Sequence, residues 1–70
     1  MNVKRAEIIE YDGGFINRVG GPDVVADEET RRHLGRAGQI VETGLRGWES
    51  YTHVLYDPET QTHYLAVVQQ

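Results

Sequence analysis

The sequence predicts a small α+β domain of order β-β-α-β-β, a four-stranded antiparallel sheet with one long helix packed on one face. Three observations lead there. Apolar residues recur at helical spacing through residues 27–47. Alternating, β-branched stretches lie on both sides of that segment. Two strong turn signals, Asp12-Gly13-Gly14 and Asp57-Pro58-Glu59-Thr60-Gln61, divide each flank into a hairpin.

Val3 to Tyr11 reads as the first strand. Asp12-Gly13-Gly14 turns the chain, because glycine reaches positive φ without steric cost. Phe15 to Val19 is the return strand. A three-residue loop sets Tyr11 opposite Phe15, so Ile9, Tyr11, Phe15 and Val19 share one face, and Ala6, Ile8, Ile16 and Arg18 share the other with Glu10. Gly20-Gly21-Pro22-Asp23 stops the strand, and Val24 and Val25 are placed to staple the first helical turn.

On a helical wheel Thr30, Leu34, Ala37, Ile40, Val41, Gly44, Leu45 and Trp48 fall in one arc, with Arg31, Arg32, Arg36 and Arg46 opposite. Asp27 suits an N-cap, Glu28 and Glu29 complement the first turn, and Gly47 suits a left-handed C-terminal cap. Asp27–Arg31, Glu28–Arg32 and Glu42–Arg46 have the spacing of stabilising ion pairs. Gly35, Gly38 and Gly44 each cost up to about 1 kcal/mol against alanine, so packing must hold the helix. A break near Gly35–Gly38 is the alternative.

After Trp48 the period changes. Tyr51, His53 and Leu55 alternate with Thr52, Val54 and Tyr56, and Thr62 to Gln69 forms the last strand. Tyr51, Leu55, Leu65 and Val67 are expected on one face, and Val54, Tyr56, Tyr64, Ala66 and Val68 on the other. One helix covers one face of a sheet, so an oily face is expected to remain for self-association, as a homodimer, or for a partner.

Seventy residues make a single domain that buries only about 60% of its unfolded surface. With no cysteine there is neither a disulfide nor a thiolate metal site to brace it, which fits a reducing cytoplasm. No apolar run approaches the roughly 20 residues that span a bilayer, and the N-terminus has no apolar core of a signal peptide, so no membrane partner is expected. The net charge is −4, yet residues 30–47 carry a local +3 and the remainder −7. A uniformly basic nucleic-acid binder is therefore not expected, while a local basic stripe on the solvent side of the helix is retained.

Motifs for chemistry are sparse. Ser50 is the lone serine and no triad order surrounds it. The glycine pairs lack P-loop spacing, so no cofactor is expected. His53 and His63 are candidates to share a hairpin face, with Glu49 or Asp57 nearby; two histidines without a defined third ligand describe sheet histidines before a metal site. His33 sits at the edge of the apolar arc as a boundary residue. No catalytic, cofactor or metal residue is assigned.

Glu10-Tyr11-Asp12-Gly13-Gly14-Phe15 resembles the first hairpin of HicB-type antitoxins. The likeness covers six of seventy residues and the following strand pattern is not found, so no residue role is carried over. In size and acidity the chain is similar to phage and mobile-element accessory proteins, including anti-CRISPR inhibitors. The expectation is a non-enzymatic module that docks on and blocks a larger protein or protein complex. Tyr51, Tyr56, Tyr64 and Trp48 are the expected aromatic anchors, and Arg31, Arg32, Arg36 and Arg46 the basic side. The alternative is an autoregulatory, nucleic-acid-binding dimer that uses those arginines; a small metal protein or enzyme comes third.

Overall fold

The computed structural model describes residues 1–21 and 24–69. Pro22 and Asp23, part of the expected strand stop, lie outside them. The elements are β1 (Asn2–Asp12), β2 (Phe15–Arg18), α1 (Glu28–Ala37), β3 (Gln39–Thr43), β4 (His53–Asp57) and β5 (Thr62–Gln69). The described strands form a five-stranded antiparallel sheet in the order β2-β1-β5-β4-β3, rather than the four-stranded sheet expected.

The fifth strand comes out of the expected helix. The start of the helix is as predicted: the Thr30 amide donates to Asp27 Oδ1 at 2.8 Å, and Arg32 pairs with Glu28 at 2.6 Å. The end is not. Gly38 donates its N–H to the Leu34 carbonyl and then turns extended, with φ −69° and ψ 143°. Ile40, Val41 and Thr43 follow, whose branched side chains favour a strand. The break near Gly38 is therefore the alternative that the chain adopts. Glu42 and Arg46 both fall beyond the helix and do not form the i,i+4 pair.

The first hairpin is one residue tighter than expected. Asp12 pairs with Phe15 and Tyr11 with Ile16, across a two-residue turn with Gly13 at φ 57° and Gly14 at φ 107°. Positive φ at both central positions is the turn whose twist matches antiparallel strands. A shift of one residue inverts every side chain of the strand. Ile9, Tyr11, Ile16 and Arg18 consequently share a face, and Phe15 is left 76% exposed. Val24 and Val25 do not staple the helix. Val25 bridges Glu7, and the Ala26 amide donates to the Ala6 carbonyl, so this segment extends the edge beside β1.

The register of the second hairpin sets Leu55 opposite Tyr64 and Val54 opposite Leu65. This regroups the expected faces. Val3, Ala6, Leu55, Tyr64 and Ala66 pack under Leu34 of α1. Ile9, Val54 and Leu65 pack on the opposite side, under Leu45.

The second side is roofed by the β3–β4 connection. Trp48 N–H bonds the Leu45 carbonyl at 3.3 Å, and Tyr51 N–H bonds the Trp48 carbonyl at 2.9 Å. These successive turns bring back Leu45, Trp48 and Tyr51 at every third residue, and all three pack on the same cluster. The turns also explain why this stretch mimics a helical period. The full oily face that the sequence suggested is thus not left: the β3–β4 connection packs on the second face, and exposed apolar area remains beside α1, at Ile40.

Candidate functional site

Four of the cationic side chains converge. The start of β1 runs beside α1, and Lys4, Arg31, Arg32 and Arg36 line the groove between them with Met1, Asn2, Val3, Glu28 and Gly35. Gly35 permits the approach, since a Cβ there would run into the Met1 carbonyl oxygen. The Met1 amino group donates to the Gly35 carbonyl at 2.9 Å, within the last helical turn, where carbonyls lack intrahelical donors. Lys4 is the extra residue of a bulge between Val3 and Arg5. Arg31 Nη1 donates to the Ala26 carbonyl at 2.6 Å, and Arg32 holds Glu28. Lys4 and Arg36 make no ion pair with any of the described residues.

The groove continues into an apolar strip. Met1 and Asn2 belong to both; Ile40, Thr52, His53, Val68 and Gln69 complete the second. Ile40 is 58% exposed on edge strand β3, whose pairing is irregular between Ile40 and Glu42. A bulge of that kind disturbs the row of edge amides that would otherwise template strand addition. Arg46 lies apart from the other three arginines, exposed in the β3–β4 connection.

The aromatic residues are mostly employed inside the fold. Tyr64 is buried under α1. Tyr56 lies against His63 with ring centroids 4.7 Å apart and planes tilted by 42°. Trp48 and Tyr51 meet edge to face at 6.3 Å, and the Arg18 guanidinium lies 5.1 Å from the centre of the Trp48 ring. Beneath them is Glu7, 1% exposed. Its carboxylate accepts from Tyr51 Oη at 2.9 Å, from Arg5 Nη2 at 3.1 Å and from Arg18 Nε at 3.1 Å. Burial opposes its charge, but the bonds from Tyr51 and Arg5 and the charges of Arg18 and Arg5 outweigh it, holding the group below the ordinary glutamate value.

The histidines fall elsewhere than expected. His53 pairs with Ala66 and His63 with Tyr56, which puts them on opposite faces of the sheet. His53 Nδ1 lies 2.7 Å from Thr52 Oγ1. His33, a boundary residue on the helical wheel, instead meets two acids, Asp57 at the end of β4 and Glu59 in the turn that follows. Its Nε2 is 3.1 Å from Asp57 Oδ1 and 3.5 Å from Glu59 Oε2. Asp57 is 2% exposed and also accepts from the Glu59 amide at 3.1 Å and from Thr60 Oγ1 at 2.9 Å. Burial again opposes the charge, and the bonds from His33, Thr60 and Glu59 overcome it, so the Asp57 carboxyl sits below its ordinary value. The turn signal at Asp57-Pro58 was legible in the chain; its partner 24 residues earlier was not.

No protein-family model, curated protein or solved structure matches this chain.

Proposed function

We propose that the protein is a non-enzymatic binding module that docks on a larger protein and blocks or bridges it. The contact is the groove between α1 and β1 together with the apolar strip beyond Met1. One observation carries this reading: Lys4, Arg31, Arg32 and Arg36 are gathered in one groove of a chain whose net charge is −4, and that groove adjoins exposed Ile40. Protein interfaces combine apolar contact with charged and polar groups, and here a basic groove lies beside an apolar strip. The partner it fits presents acidic side chains beside an apolar ridge. The arginines steer encounter, and Ile40 and Met1 supply apolar contact.

Of the expected aromatic anchors, Tyr64 is buried under α1, while Trp48, Tyr51 and Tyr56 remain half-buried and outside the groove; in this reading the arginines and Ile40 carry the contact. A nucleic-acid partner fits less well. No aromatic residue lines the groove to stack on a base, and Glu28 sits among the cations.

The test is affinity purification with the wild-type chain and with an Arg32→Glu/Arg36→Glu variant, then binding measured with the purified partner. Both side chains are exposed, so the fold should survive. Loss of binding by at least about tenfold is expected. A partner bound equally by both variants overturns the reading. Retardation of DNA or RNA with steep salt dependence would favour the nucleic-acid alternative.

A further inference from the structure

We propose that His33, Asp57 and Glu59 form a binding site for a divalent transition-metal ion of the zinc class, which clamps α1 to the β4–β5 turn. The three side chains each offer one donor atom, and these atoms all lie within 4.8 Å of one another. His33 Nε2 stands 3.1 Å from Asp57 Oδ1 and 3.5 Å from Glu59 Oε2. Tetrahedral zinc, with bonds of about 2.0–2.2 Å, spaces neighbouring ligand atoms by about 3.3–3.6 Å. The His33–Glu59 distance falls within that range and the His33–Asp57 distance lies just below it.

The donor set selects the ion. One imidazole with two carboxylates suits zinc and its neighbours, whereas calcium takes six or more oxygens and magnesium keeps most of its water. The two carboxylates supply the charge for a dication, and Glu29 lines the same groove; Arg36, also there, opposes it. The buried carboxylate is already aimed: the Glu59 amide and Thr60 hydroxyl hold Asp57 in place. Such outer bonds orient a ligand before the metal arrives. The donors come from α1 on one side and from the end of β4 and the turn after it on the other, so an ion between them joins parts of the chain that β-pairing does not connect. For a domain of 70 residues with no cysteine, a metal clip is one of the few staples available.

The experiment titrates the metal-free full chain with Zn2+, with Mg2+ as the control, and follows bound metal and melting temperature. One equivalent of Zn2+ should bind and raise the melting temperature as its concentration rises, while Mg2+ does neither. Glu59→Gln, at a side chain 75% exposed, leaves the fold intact. It and His33→Gln should each weaken Zn2+ binding by at least about tenfold, and a His53→Ala/His63→Ala variant should bind as the wild type does. Failure to bind Zn2+ saturably overturns the proposal. So does a bound equivalent that survives both Glu59→Gln and His33→Gln, or one that is lost with His53 and His63.

Discussion

The Tyr51 hydroxyl donates to Glu7 Oε1 at 2.9 Å across 44 residues of sequence. This bond fastens the β3–β4 connection to the centre of β1. Arg18, from β2, completes the arrangement by bonding the other oxygen of Glu7 and lying over the Trp48 ring. An otherwise expensive buried carboxylate thereby becomes the point where β1, β2 and the connection meet. Its three donors satisfy it, and removing one leaves the charge undercompensated.

Stability should fall in acid in a way that Glu7 and Asp57 explain. Both have folded-state values below their ordinary ones, 4.5 and 3.8 respectively. A depressed carboxyl adds stability that is fully present above the unfolded value and is lost as pH falls through the folded one. The melting temperature should therefore hold steady above pH 4.5 and decline below it. Glu7→Gln should lower stability by about 1–3 kcal/mol at neutral pH and shallow the acid decline. Thermal melts across the pH range check both. An unchanged acid slope in Glu7→Gln would assign the decline to other groups.

Leu45→Ala tests whether the connection really roofs the sheet. Leu45 is 7% exposed against Ile9, Val54 and Leu65. Truncating a buried leucine to alanine costs about 2–5 kcal/mol. In a domain this small such a loss is a large share of the whole, so urea unfolding should shift to much lower midpoints. Trp48 fluorescence should change with it, because Trp48 packs on the same cluster. A surface-like cost within about 0.5 kcal/mol would contradict the second core.

Gly35→Ala should destabilise, against helix propensity. Propensity alone favours alanine by about 1 kcal/mol inside a helix. Here the added methyl meets the Met1 carbonyl oxygen, which is backbone and cannot rotate away. Overpacking of this kind costs about 1–3 kcal/mol. Denaturant melts decide the sign. A more stable variant would show that the start of β1 can part from α1.

Much of the architecture was legible because its causes are local. Asp27 caps a helix through an amide three residues away. Gly13 and Gly14 turn a hairpin between adjacent strands. Asp57 organises its own turn through Glu59 and Thr60. The candidate groove was half legible: Arg31, Arg32 and Arg36 share a helix side at known spacing, but Lys4 joins them only through a bulge and the closeness that Gly35 permits. Arg46 was grouped with them by a helical period that continues past the true end of the helix.

By itself, then, the sequence determined a small α+β chain with one amphipathic helix, hairpins on either side and a basic stripe, since each follows from neighbours within a few residues. The tertiary structure decided where the helix stops, which side chains share a face, what covers the second face and which acids meet His33. Those outcomes depend on pairings between residues far apart in the chain. A single step in register inverts a strand, and a loop such as Leu45–Tyr51 becomes a roof only when Ile9, Val54 and Leu65 lie beneath it.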